Sequence, residues 1–213
     1  MGTYEKGIIG AFSGKVGPVV GATWRGKDVM RSLPRKSTKP ATPKQMLQRE
    51  KFTMVTEFLT PLNPILKRYF GSNTEVKTRR NQAMSYTMKD AVVFVDPGFE
   101  LSFNRVLISR GSLLGLNTGV ATAGAGQSVD IAWIDNSGIG DAAATDQLVV
   151  AVYEPTTKTT IYSLNAGSRD HRAGNITLPA FLSGLKVQVW ATFASVDGKM
   201  YATSEYLGTI VVG

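Results

Sequence analysis

The spacing of apolar residues changes character once along this 213-residue chain, at Asp96-Pro97-Gly98. Before that point Phe52, Val55, Leu59, Leu62, Leu66 and Tyr69 are separated by steps of 3-4-3-4-3, the pattern that gives a helix one buried stripe. After it, short segments of alternating apolar and polar residues follow one another to the C-terminus. A helix buries a stripe and a strand buries a face, so the chain is expected to be α+β.

The strand candidates are 100–108, 128–134, 147–153, 159–164, 174–178, 186–195 and 201–212, each bounded by Gly, Asn, Asp or Pro. In the sixth, Val187, Val189, Ala191 and Phe193 share one face and Gln188, Trp190 and Thr192 the other. Asp197-Gly198 then supplies a hairpin signal. Seven short strands without intervening helices predict an antiparallel, immunoglobulin-like or fibronectin-like β-sandwich over residues 97–213. The chain has no cysteine, so Trp133 and Trp190 are its expected core aromatics in place of a disulfide.

Residues 42–96 read as a helical segment. Thr42-Pro43-Lys44-Gln45 offers an N-cap hydroxyl, a proline at the first helical position and the glutamine of a capping box. Pro61 and Pro64 should divide this helix into two abutting pieces ending near Gly71. A second helix is expected from about Arg80 to Val92, with Met84 and Met88 on one face.

Residues 1–41 read as a glycine-rich β-arm and connector. Gly7, Gly10, Gly14, Gly17, Gly21 and Gly26 are interleaved with Ile8, Ile9, Phe12, Val16, Val19, Val20 and Trp24, which suggests short strands with close backbone approaches. Arg25-Gly26-Lys27-Asp28 is expected to turn a hairpin between Val19–Trp24 and Val29–Leu33. From Pro34 to Pro43 the chain becomes an extended basic connector.

Charge divides the chain at nearly the same place as periodicity. Residues 1–90 hold 17 Lys+Arg against 6 Asp+Glu, and residues 91–213 hold 7 against 10, nets of +11 and −3 within a total of +8. An apolar fraction of 43% with 19% charged residues excludes wholesale disorder. The N-terminus has no apolar leader core and no run long enough for a membrane span, so a cytoplasmic location is the default expectation, with incorporation into a particle as a variant of it. Lys6 stands where a myristoylation motif wants Ser or Thr.

Four stretches carry a resemblance: Gly10-Ala11-Phe12-Ser13-Gly14-Lys15-Val16-Gly17 with Trp24-Arg25-Gly26; Met30-Arg31-Ser32-Leu33-Pro34; Asn81-Gln82-Ala83-Met84-Ser85-Tyr86; and Trp133-Ile134-Asp135-Asn136-Ser137-Gly138 with Ser204-Glu205-Tyr206-Leu207-Gly208. Together they resemble an uncharacterised bacterial domain family, often present in several copies per genome, over essentially the whole chain. The resemblance implies a single inherited module in which the basic N-terminal unit and the sandwich belong together. It implies no activity.

Motifs for catalysis are weak. Gly21-Ala22-Thr23-Trp24-Arg25-Gly26-Lys27 matches seven positions of a phosphate-binding loop, but Asp28 replaces the Ser or Thr that holds magnesium. Gly14-Lys15-Val16-Gly17 fits the loop of a KH module but sits among strand-like residues. His171, the one histidine, lies in a loop beside Asp170. One histidine and no cysteine exclude the common zinc sets. Asp135-Asn136-Ser137-Gly138-Ile139-Gly140-Asp141 with Asp146 gathers oxygen ligands that suit calcium or an ordinary turn.

The basic residues carry more information. Lys15, Arg25, Lys27, Arg31, Arg35, Lys36, Lys39 and Lys44 fall within 30 positions and form the expected partner-binding or polyanion-binding set. Phe12, Val19, Val20 and Trp24 are the expected assembly anchors, because a short hairpin cannot bury such residues by itself. The leading expectation is a non-catalytic structural or interaction protein, without cofactor or metal. It self-assembles through its basic arm, as a particle or virion component does, into a homo-oligomer or larger assembly. The alternative is a nucleic-acid or polyanion-binding protein using residues 15–44, or one whose arm meets an acidic protein surface.

Overall fold

The computed structural model describes residues 3–4, 12–24, 27–35, 39–74 and 77–213. The fold mixes helices with several antiparallel sheets. Helix α1 (Pro43–Leu59) starts where the capping box places it: the Thr42 hydroxyl accepts from the Gln45 N–H while the Gln45 side chain accepts from the Thr42 N–H. It stops ahead of Pro61, and α2 (Asn63–Tyr69) resumes with Pro64 in its first turn. Helix α3 (Arg79–Tyr86), capped by the Thr78 hydroxyl, runs into a π-helical turn at Thr87–Ala91.

The expected stripe of α1 and α2 is buried at Val55, Leu59, Leu62, Leu66 and Tyr69, but Phe52 is 51% exposed. Phe52 lies one turn before Val55, the first fully buried residue of the seam, in a groove between α1 and α3 that leaves half of it in solvent.

Four N-terminal strands form one antiparallel sheet in chain order: β1 (Thr3–Tyr4), β2 (Phe12–Val16), β3 (Val19–Trp24) and β4 (Lys27–Ser32). The hairpin of β3 and β4 closes at the pair Trp24–Lys27, two residues earlier on its second strand than expected. A separate hairpin joins β5 (Val92–Val95) to β6 (Gly98–Leu101) through Asp96-Pro97.

Seven further strands build two facing sheets. These are β7 (Val120–Gly124), β8 (Ser128–Ala132), β9 (Gln147–Glu154), β10 (Thr159–Ser163), β11 (Ala173–Thr177), β12 (Lys186–Ala194) and β13 (Glu205–Val211). One sheet has the order β10-β9-β12-β13 and the other β11-β8-β7. Six of the seven expected strands are present in outline, but 100–108 is not a strand of either sheet. Its first residues complete β6, Phe103–Arg105 is a 3-10 turn, and Val106 and Ile108 are buried beside the helices. The strand that takes its place, β7, is an edge strand with one large apolar residue, Val120, in Val-Ala-Thr-Ala-Gly. A strand half covered by one neighbour needs little apolar surface, so its sequence signal is weak.

The four-stranded sheet is covered on both faces. Val150, Val152, Val187, Val189, Ala191 and Phe193 pack towards the three-stranded sheet with Val129, Ile131 and Ile176. On the reverse face Val149, Ala151, Tyr153 and Trp190 pack with Phe58, Leu62, Leu66 and Phe70 of the helical layer. The two tryptophans expected in the core are both buried, but in different layers. Trp133 stacks edge-on to Phe193 at 5.4 Å, and Trp190 meets Phe58 and Phe103 at 6.1 Å on the opposite side of β12. Among the described residues, both clusters draw only on the chain from Met54 onward. No helix among them is long and apolar enough to cross a membrane.

Candidate interaction surface

The N-terminal sheet brings part of the expected basic set together. Directly opposed residues of an antiparallel pair share a face. Lys15 opposes Val20, Val20 opposes Arg31, and Trp24 opposes Lys27. Because alternate residues of β3 point the same way, Lys15, Lys27 and Arg31 share one face with Val20, Ala22, Val29 and Trp24. Lys27 and Arg31, four positions apart on β4, are separated by about 13 Å.

The opposite face is mixed: Val16, Val19, Gly21 and Met30 share it with Thr23, Asp28 and Ser32. Phe12 lies directly over Gly21: a Cβ there would stand 2.1 Å from the Phe12 carbonyl oxygen and 2.8 Å from its ring. Glycine at this position is what lets β2 fold down on β3. The expected anchors Val19 and Val20 therefore serve opposite faces. Trp24 is 59% and Met30 74% exposed.

Other members of the set are not gathered. Arg35 follows the sheet, Lys39 lies in the connector and Lys44 in the first turn of α1, all exposed. Arg25 and Lys36 lie outside the described residues. Lys15, Lys27, Arg31 and Arg35 make no ion pair among the described residues.

The phosphate-loop reading fails on geometry. Residues 21–24 and 27 belong to two antiparallel strands instead of a strand-to-helix turn. Gly14-Lys15-Val16-Gly17 likewise runs from β2 into the Gly17-Pro18 turn and joins no helices.

The oxygen-rich loop is occupied by an arginine. Arg169 is fully buried and donates from Nε to Asp146 Oδ2 at 3.1 Å, from Nη1 to Asn136 Oδ1 at 2.5 Å and from Nη2 to the Leu114 carbonyl at 2.9 Å. Burial pushes its guanidinium pKa down and the Asp146 charge opposes that shift. A guanidinium thus takes two of the loop's oxygen donors, Asp146 and Asn136, in a segment whose sequence suited either calcium or an ordinary turn. Sequence reasoning missed Arg169, because Ser168-Arg169-Asp170-His171-Arg172 looks like a polar surface loop. His171 is exposed, and Asp170 accepts from the Ser168 hydroxyl at 2.5 Å, which holds its carboxyl below the usual range.

The profile of a family of unknown function, DUF6266, matches residues 11–208. The chain belongs to this family. No curated protein matches it. The DUF6266 match runs from the second arm strand through the helices and into β13, so arm, helical layer and paired sheets are covered by one family.

Proposed function

We propose that this DUF6266 member is a non-catalytic interaction protein that self-assembles through its N-terminal sheet and displays an immunoglobulin-like or fibronectin-like sandwich. One observation carries the reading. Among the described residues the arm adds nothing to either hydrophobic cluster, yet it exposes Trp24 and Met30 on a glycine-pinned sheet. Exposed apolar surface beside an open strand edge favours a protein partner. The sandwich label draws support from strand order: of β7 to β13, the first, second and fifth strands form one sheet and the fourth, third, sixth and seventh the other. Mass photometry and light scattering over a micromolar concentration series test the assembly. A strict monomer throughout overturns it.

A second reading has its own support, the single face shared by Lys15, Lys27, Arg31 and Trp24, which suits a phosphate backbone with stacking bases. It requires binding to single-stranded or duplex DNA that weakens steeply as salt rises. Undetectable binding at low salt removes it.

A further inference from the structure

The hairpin of β5 and β6 exposes three consecutive apolar residues, Val93 at 39%, Phe94 at 53% and Val95 at 46%. Such a run is a defect in a soluble protein unless something covers it. The strand has one partner, β6, so its other edge offers unpaired backbone groups. Acidic residues bracket the run: Asp90 precedes it and Asp96 follows it, both exposed and without an ion pair among the described residues.

Strand β4 has the complementary pattern. It is the outer strand of the arm, with one edge open, and Lys27 and Arg31 bracket Asp28, Val29 and Met30; Asp28 lies on the face opposite Lys27 and Arg31 and accepts from the Thr23 hydroxyl at 3.1 Å. We propose that β4 of one copy docks edge-to-edge on the β5–β6 hairpin of a second copy, Lys27 and Arg31 meeting Asp90 and Asp96 around a shared apolar centre. Main-chain hydrogen bonds would supply affinity and the flanking charges register and choice of partner. This rests on the assembly reading and names its receptor.

Charge favours this hairpin, where Asp90, Asp96 and Glu100 outnumber Lys89 and the Lys51 that lies 5.5 Å from the Phe99 ring, over the exposed Phe52 of α1. Phe52 sits in a groove between α1 and α3 beside Arg80, and in a neighbouring hollow beside Arg49. Those arginines repel a basic arm. The contact joins two different surfaces, so it closes as a two-fold dimer when each arm reaches the other copy's hairpin and otherwise generates a larger ring or an open chain of copies.

A charge exchange in the full-length chain tests the proposal. Lys27→Glu/Arg31→Glu and Asp90→Lys/Asp96→Lys alter only exposed side chains, and circular dichroism checks that each variant folds. Each variant alone should associate at least tenfold more weakly than the unmodified chain. An equimolar mixture of the two, or one chain carrying all four changes, should recover association, because acidic arms then face basic hairpins. If Asp90→Lys/Asp96→Lys associates normally while Lys27→Glu/Arg31→Glu does not, the hairpin is not the receptor although the arm still assembles. Failure of the mixture and of the four-change chain to recover association also overturns the docking. If Lys27→Glu/Arg31→Glu loses DNA binding but keeps its mass distribution, the arm serves nucleic acid and both proposals fall.

Discussion

Arg169 and Asp146 meet at 3.1 Å with side chains 0% and 2% exposed, both charges withdrawn from solvent. The guanidinium also lies 4.0 Å from the Phe193 ring centroid, and the Arg169 carbonyl accepts from the Trp133 indole at 2.8 Å. One residue thus ties the 114–115 segment, the 136–146 loop and β12 together. Replacing Arg169 by Met should cost roughly 3–5 kcal/mol, because Asp146 is left buried and unpaired. Removing both charges with Asp146→Leu should cost less than the two single changes combined. Urea denaturation of the three variants measures the coupling.

Two glycines in close contact should behave differently on substitution. At Gly111 a Cβ would stand 1.9 Å from the Tyr201 carbonyl oxygen, which accepts the Leu113 N–H. Gly111→Ala should lower global stability by about 3 kcal/mol, since backbone must move within the packed body. Gly21→Ala meets the Phe12 carbonyl just as closely but lies in the arm. It should leave the melting temperature of the body unchanged while reducing self-association.

Acid should reveal Glu154. Its carboxyl is buried at the end of β9; desolvation pushes its pKa up, but hydrogen bonds from the Thr157 hydroxyl and the Thr156 and Thr157 N–H groups prevail and hold it at about 2. The folded value lies below the ordinary 4.5, so this stabilisation is complete above pH 4.5 and is lost as pH falls towards 2. Glu154→Gln should reduce stability at neutral pH by roughly 1.5–3 kcal/mol, typical of hydrogen bonds to a charged group. It should also flatten the fall in stability between pH 4.5 and 2, as thermal melts across that range would report.

Helix α1 offers a contrast between its two ends. Thr42→Ala removes the reciprocal cap with Gln45 and should cost about 1 kcal/mol. Leu59→Ala, at a fully buried position, should cost about 2–5 kcal/mol. Phe52→Ser should cost only about 1 kcal/mol because its ring is already half in solvent. Chemical denaturation of the three variants gives the ranking.

Local chemistry made much of this fold legible from residues alone. The capping box at Thr42, the break between Leu59 and Asn63, and β8 to β13 depend on neighbours within a few positions. The basic and apolar arm was legible as composition, and its division into two faces followed once β3 was paired on both sides. Other features carried no local signal. Phe52 fits a helical stripe as well as Leu59 does, and which of them is covered depends on where the partner layer ends. Residues 103–108 alternate like a strand, yet the backbone at Ile108 bonds to the Ser204 hydroxyl, 96 positions away.

Sequence by itself determined the element types, the charge division at the change of period, and an arm too short to bury its own apolar residues. Tertiary structure decided that the four-stranded sheet is covered on both faces, that Trp133 and Trp190 serve separate layers, and that Arg169 fills the oxygen-rich loop. The physical reason is range. Caps, turns and hydrophobic periods act between residues a few positions apart, whereas burial and the pairing of a charge depend on which distant segment arrives to exclude water.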